Sequence, residues 1–579
     1  MSPYKPPVQD GMFLLRDFLR AHEDWSSWSK IDGLDVSLAE AVLEQAGQLA
    51  ADVMDPLSQS GDEEGARWEN GSVFAPSGYP EAFSTLVQGG WIGLGGDPKF
   101  GGQGLPMTLG VLVDEYFFAA NTTLWLYGSL TIGAAHCLRV HGEDWIKDTY
   151  LPNMYSGKWT GAMALTESHA GTDLGMLRTA AVPAPDGTYR LNGTKIFITS
   201  GEHDLAENIV HLVLARLPDA PEGVKGISLF MVPKYLVNDD GSLGERNGFS
   251  SISIEKKMGI HGSATSTIAY EDAKAHLIGE PNQGLMCMFT MMNTARLSVG
   301  IQGLGLGDKA YQLASEYVKE RLQGRSPTGP VNTDGPADPI IEHPDIRRTM
   351  LTQRAYNEGG RAFSVFVAHQ IDRSWHCEKQ EDREQAQRFV ELLTPIVKAF
   401  LTDRAFDSAV LAQNCFGGHG YIRETGIEQV VRDARIAQIY EGTNGIQALD
   451  LVKRKVVPND GLVVTEFVEY IKQSMVASPY TPDVHRACDL WTEITREICS
   501  KSSNSLEFAA GAAVDYLDLC GHIIYGWLWA RMQATEYLGN DKQMLADFYW
   551  AKLMPKIDSL AKSIQSGAET LMEPESSWF

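Results

Sequence analysis

Residues 161–280 break the period of an otherwise helical chain, and that break constrains the fold more than any other feature. Tyr189-Arg190-Leu191-Asn192-Gly193-Thr194-Lys195-Ile196-Phe197-Ile198-Thr199 reads as strand-like runs around an Asn-Gly turn. Ile209–Leu217, Ile227–Leu236 and Ser266–Tyr270 also read as strands. From Ser37 to about 160 the pattern is helical, with breaks at Gly89-Gly90 and Gly101-Gly102, and the apolar stretch Phe117–His136 reads as a buried helix pair. Helices return from Met286 to Val452, interrupted by a polar Pro/Gly-rich loop, Gly324–Pro339. A boundary follows at Val457-Pro458-Asn459-Asp460-Gly461. The last helical unit carries a turn at Ser478–Asp483 and a stripe of Val484, Ala487, Cys488, Trp491, Ile494 and Ile498 at helical spacing, which reads as core or subunit interface.

These segments predict a mostly α chain with an inserted β-domain. The expected divisions are an N-terminal extension (1–36), a helical domain (37–160), a middle β-domain (161–280), a helical domain (281–457) and an extra C-terminal helical domain (458–579). The extension mixes prolines and tryptophans with a short amphipathic piece, Met12–Leu19, and reads as a strap on a larger body. A length of 579 residues is too great for one core. No solenoid repeat is present.

A net charge of −25 argues against a nucleic-acid groove and against docking on anionic membrane. No apolar run reaches the ~18 residues a membrane span needs, and Met1–Pro7 lacks the pattern of a secretory signal, so the expected location is cytoplasmic. The seven cysteines form no C-x-x-C pair and show no metal-ligand spacing. They read as buried, reduced thiols, with no metal site expected.

The stretch from Arg432 to Gln447 places one carboxylate, Glu441, between Tyr440 and a Gly442-Thr443 step that could start a helix. Apolar and aromatic neighbours disfavour the ionised carboxylate and raise its pKa toward neutrality, as suits a base that removes a weakly acidic C–H proton. The same residues also suit a surface glutamate that offsets a helix dipole. The run Gly303-Leu304-Gly305-Leu306-Gly307 follows no strand and lies in a helical stretch, so close helix packing, not dinucleotide binding, is its expected role.

Three segments together resemble the acyl-CoA dehydrogenases. Thr166-Glu167-Ser168-His169-Ala170-Gly171-Thr172-Asp173 is similar to the family's flavin segment, Phe416-Gly417-Gly418-His419-Gly420-Tyr421 to its F-G-G-x-G loop, and the Glu441 stretch to its catalytic-base segment, in the family's order. The resemblance implies FAD as cofactor, Glu441 as catalytic base, and its backbone N–H as a donor to the thioester oxygen. Some branched-chain members carry the base on an earlier helix, but here that neighbourhood, Asn293-Thr294-Ala295-Arg296, has no carboxylate. By the same resemblance, Met163, Leu165, Thr166, Gly171, Thr172, Phe197 and Thr199 contact the flavin. Arg321, Asn414, Gly417 and Gly418 serve the FAD of a partner subunit, and Thr443 and Gly445 touch the flavin side of the pocket. Thr172, Asn293, Arg296, Tyr440 and Glu441 face the acyl-CoA.

The extension, the length and the opening Tyr4-Lys5-Pro6-Pro7-Val8 resemble a long bacterial subfamily that includes 3-methylmercaptopropionyl-CoA dehydrogenase. That narrower resemblance implies oxidation of 3-methylmercaptopropionyl-CoA to 3-methylthioacryloyl-CoA in dimethylsulfoniopropionate breakdown. Electrons would leave through an electron-transfer flavoprotein, and the chain would be a homodimer. The rivals are a short or medium straight-chain acyl-CoA dehydrogenase, an acyl-CoA oxidase, and a non-catalytic flavin-binding protein.

Overall fold

The computed structural model describes residues 4–579 except 30, 32, 504 and 536–539. The chain forms two compact units. One comprises Gln48–Pro106 and Ala120–Ala295; the other comprises Met1–Gly47, Met107–Ala119 and Arg296–Phe579.

The first unit is built on a seven-stranded sheet. Its strands are β1 (Trp159–Ala164), β2 (Ala180–Pro183), β3 (Tyr189–Thr199), β4 (Asn208–Arg216), β5 (Ile227–Pro233), β6 (Phe249–Ile254) and β7 (Thr265–Ile278). They pair in the order β6-β7-β3-β2-β4-β1, and β5 joins β4 to β7, so β7-β3-β2-β4-β5 returns on itself as a closed ring. Within the ring β5 is buried at every residue, and so is β1, which pairs with β4 outside the ring. Leu191, Ile198, Val213, Ala215, Phe230 and Ile268 share one core. The Asn192-Gly193 turn expected from sequence does not occur, because β3 runs unbroken through it and Gly193 pairs with Tyr270. That glycine answers to a close approach instead: a Cβ there would sit 2.9 Å from Thr179 Cα.

The stretch read as a buried helix pair is two consecutive helical segments of α1 (Met107–His141), separated by a kink where Asn121 leaves helical angles (φ −152°, ψ 87°). Asn121 Oδ1 accepts from the Leu124 amide at 3.1 Å and restarts the helix, as an N-cap does.

The second unit is helical. Its long elements are α2 (Gly284–Glu320, from Arg296 onward), α3 (Pro344–His376) and α4 (Gln380–Cys415), followed by α5 (Ile427–Arg435) and α6 (Asn444–Asp450). The loop between α2 and α3 is ordered by Asp338, whose carboxylate accepts from the amides of Ser326, Val331 and Asn332. Glycines on α2 do allow close packing. A Cβ on Gly303 would lie 3.1 Å from Thr402 Cα, and one on Gly305 2.7 Å from the Glu115 carbonyl.

The C-terminal helices α7 (Leu462–Gln473), α8 (Thr481–Ser502) and α9 (Leu506–Ala534) belong to this same unit. All six residues of the α8 stripe are buried, so it is core. Gly521 on α9 lets that helix close on α4, where a Cβ would meet the Phe400 ring at 2.2 Å. The N-terminal strap is tied in by charge. Asp10 accepts from Arg361 on α3 and from Lys542, Arg361 also holds Glu115, and Lys542 also holds Glu358 at 2.6 Å. Six of the seven cysteines are buried and none is bridged. Among the described residues no helix is long and apolar enough to cross a membrane, and no cluster of side chains suits a metal ion.

Candidate active site

Helix α5 ends in a short 3₁₀ turn, Ile436–Gln438, and α6 begins after Thr443, whose hydroxyl accepts from the Ile446 amide. Between them Glu441 and Gly442 both adopt left-handed backbone angles, φ 57° and 84°. Glycine takes that conformation freely, whereas for a glutamate it costs about 1–2 kcal/mol and persists only where the surroundings enforce it. Two side chains do so. Gln447 Nε2 donates to the Glu441 carbonyl at 2.8 Å, and Lys398 Nζ donates to the Gly442 carbonyl at 2.9 Å. The hydrophobic-side reading of Glu441 as a group with a raised pKa holds: burial pushes its carboxyl up, while the Arg296 and Lys398 cations pull it partly back.

The other predicted residues of this unit are dispersed around that turn. Tyr440 precedes the base and donates its hydroxyl to Gln302, a fully buried side chain of α2. Arg296, also buried on α2, forms an ion pair with Asp450 at 3.2 Å, and Arg454 approaches the same carboxylate. Among the described residues, Arg296 Nε and Gln302 Nε2 have no hydrogen-bond partner. Unpaired buried donors of this kind call for an acceptor. Gly445 is exposed in the first turn of α6. Arg321 is exposed just past α2. Asn414 is exposed at the end of α4, while its neighbour Gln413 is spent inside the loop, donating to the Gly420 carbonyl at 2.9 Å. Gly417 (φ 58°) and Gly418 have open space where a Cβ would stand, so their backbone is accessible to a ligand.

The β-sheet unit holds the remaining candidates. Met163 lies in β1, and Leu165 and Thr166 follow it at the strand's C-terminal end. Their loop is fixed by Glu167, which is 5% exposed. Its carboxylate accepts from the Arg178 and Thr179 amides, the Thr179 hydroxyl and Lys195 Nζ. Lys195 also donates to the Leu165 carbonyl at 2.8 Å. These donors outweigh desolvation and hold Glu167 down at about 2. Gly171 and Thr172 are exposed beyond this clamp. Phe197 sits in a β-bulge of β3, where the register to β7 shifts between Ser266 and Ile268. Its φ is 60° and its ring is 59% exposed. A strained aromatic turned outward by a bulge suits a flat ligand rather than the core. Thr199, at the end of the same strand, is half-buried. Asn293 is exposed on the first part of α2.

Sequence reasoning passed over Lys398, Gln447, Gln302, Asp450 and Lys195. A lone lysine inside the apolar run Leu392–Leu401 was the one available signal for Lys398.

Comparison with known proteins identifies the family. Four family profiles match in succession: "Acyl-CoA dehydrogenase, N-terminal domain" over residues 39–158, "middle domain" over 162–273, "C-terminal domain" over 282–456, and "Acetyl-CoA dehydrogenase C-terminal like" over 463–575. The 3-methylmercaptopropionyl-CoA dehydrogenase of Ruegeria pomeroyi is 41% identical over 538 residues, covering 90% of each chain. The broad-specificity linear acyl-CoA dehydrogenase of Mycobacterium tuberculosis is 30% identical and covers all of both chains. In fold, Caenorhabditis elegans ACDH-11, solved with C11-CoA, covers this whole chain and 97% of its own with a TM-score of 0.78 at 18% identity. By these matches the chain belongs to the acyl-CoA dehydrogenase family of oxidoreductases.

Proposed function

We propose that the protein carries out FAD-dependent α,β-dehydrogenation of an acyl-CoA thioester, with 3-methylmercaptopropionyl-CoA the favoured substrate. The observation that carries the reaction is the Glu441 turn, in which a carboxyl of raised pKa sits on a strained backbone held by Gln447 at the Glu441 carbonyl and by Lys398 at the Gly442 carbonyl. The fit to FAD rests on the outward Phe197 ring, the clamped Leu165–Glu167 loop and the open Gly417-Gly418 backbone. When bound, FAD supplies the acceptor for the hydride from Cβ.

Glu441 takes the α-proton, and its raised pKa brings its basicity closer to that of the thioester α-carbon. The backbone N–H of Glu441 donates to the thioester oxygen and stabilises the negative charge that develops there. Met163, Leu165, Thr166, Gly171, Thr172, Phe197 and Thr199 hold the flavin, and Thr443 and Gly445 flank it. Arg321, Asn414, Gly417 and Gly418 serve FAD across a homodimer. Thr172, Asn293, Arg296 and Tyr440 contact the acyl-CoA. The substrate preference is supported by the 41% identity to the Ruegeria pomeroyi enzyme over nearly the full length. An electron-transfer flavoprotein is the proposed acceptor, the cytoplasm the proposed location and dimethylsulfoniopropionate breakdown the proposed pathway.

Anaerobic reduction of the purified yellow protein by a panel of acyl-CoAs tests this reading. Fastest loss of flavin absorbance with 3-methylmercaptopropionyl-CoA supports it. Faster loss with butyryl- or octanoyl-CoA removes the substrate assignment, and no loss with any thioester removes the activity.

A further inference from the structure

Lys398 stands in the middle of α4 with no exposed surface. Burying an ammonium is costly unless acceptors and opposite charge compensate it. Its two hydrogen bonds go to neutral oxygens, the Gly442 carbonyl at 2.9 Å and Asn444 Oδ1 at 2.8 Å. A neutral donor would satisfy both, so hydrogen bonding alone does not account for a charged residue here. Both partners lie just past Glu441, one on the left-handed glycine and one in the first turn of α6.

The charges around this group are few. Arg296 faces it from α2, itself engaged with Asp450, which also meets Arg454. Asp403, one turn further along α4, accepts from Gln438 and Asn444. Tyr440 is turned to Gln302. Burial pulls Lys398 down to about 8, with Glu441 and Asp403 favouring its ammonium and Arg296 opposing it. The Glu441 carboxyl feels Arg296 first and Lys398 second.

Accepting Glu441 as the base, we propose that Lys398 is its positioning residue: it clamps the Gly442 carbonyl and the Asn444 side chain to hold the base turn, and its buried ammonium supports the charge of Glu441 without pairing with it. A direct ion pair would occupy the carboxylate and lower its basicity strongly. Acting across the peptide, the ammonium offsets part of the desolvation of Glu441 while its own hydrogen bonds go to Gly442 and Asn444 rather than to the carboxylate.

The test compares Lys398→Met, Lys398→Gln and Lys398→Arg as holoenzymes. Lys398→Gln keeps a donor while losing charge, which covers the case where the methionine variant does not fold. Two readouts are followed against pH: the rate of flavin reduction by a saturating acyl-CoA, and the infrared carboxylic-acid band of Glu441, identified as the band missing from Glu441→Gln. In the Met and Gln variants the acid limb and the band's midpoint are expected to move up by about one pH unit, equivalent to about tenfold in the ionised fraction below it. Acyl-CoA affinity should change little, and Lys398→Arg should restore most of the shift. An unchanged limb and band in the neutral variants, with only a lower rate or melting temperature, would reduce Lys398 to a structural lysine and overturn the proposal. The infrared band reads the protonation of Glu441 even if no thioester reduces the wild type, so failure of the dehydrogenase reading remains distinguishable from failure of this one.

Discussion

Gln447 Nε2 donates to the carbonyl of Glu441 at 2.8 Å, reaching back from the first turns of α6 to the residue two places before its cap, Thr443. The amide nitrogen leaves no room on Gly442: a Cβ added there would lie 2.7 Å from it. The left-handed pair Glu441-Gly442 is therefore held by the helix that follows it, and the direction of the base depends on that contact.

Replacing Gly442 by alanine sets a methyl group against Gln447 at a φ of 84°. The left-handed cost alone is about 1–2 kcal/mol, and relief requires Gln447 to release the Glu441 carbonyl. Stopped-flow measurement is expected to show flavin reduction slowed by about tenfold or more, since about 1.4 kcal/mol corresponds to that factor. A lower melting temperature should accompany it.

Only ionised Glu441 can accept a proton, and burial raises its pKa above the ordinary carboxylate value. As pH falls, activity should therefore be lost at a higher pH than for an exposed glutamate, whose pKa is about 4.3. The limiting reduction rate measured from pH 5 to 9 should rise with pH along this limb. A rate already constant at the low end of that range would contradict the raised value.

Lys195 bridges the Leu165 carbonyl and the Glu167 carboxylate, both at 2.8 Å. Lys195→Met keeps the length but leaves a buried carboxylate without its cation, a loss of about 3–5 kcal/mol. Denaturant unfolding is expected to show it, together with FAD released on gel filtration. In the wild type Glu167 is held near 2 rather than 4.5, so its contribution is complete above 4.5 and is lost as pH falls from there toward 2.

Gly521→Ala tests the seating of the C-terminal helices. Alanine favours a helix over glycine by about 1 kcal/mol, but its methyl would overlap the Phe400 ring carbons at 2.2 Å. Overpacking of about 1–3 kcal/mol should win. Calorimetry is expected to show a lower transition temperature with flavin content unchanged.

The helix–sheet–helix plan was legible because hydrophobic period reports which faces are buried, and the α8 stripe and the close-packed glycines of α2 followed the same logic. Asn192-Gly193 misled because a glycine needed for close approach to Thr179 is indistinguishable in sequence from one needed for a turn. A raised pKa for Glu441 was legible from its neighbours Tyr440 and Gly442, though they suited a surface glutamate as well and only the family resemblance pointed to a base. Its supports were not, because Gln302, Lys398 and Gln447 come from separate helices and meet the turn only through tertiary packing. The clamp on Glu167 was hidden likewise, since Lys195 reaches it from another strand.

The most direct test of Glu441 as the base is anaerobic stopped-flow reduction of wild type and Glu441→Gln by the same saturating acyl-CoA. Glutamine preserves the shape and the backbone contacts but cannot accept the α-proton. The variant is expected to keep its yellow flavin spectrum and bind the thioester, while its reduction rate falls by about four orders of magnitude, the upper end for loss of a general base. Reduction at a near-normal rate would place the base elsewhere and contradict this assignment.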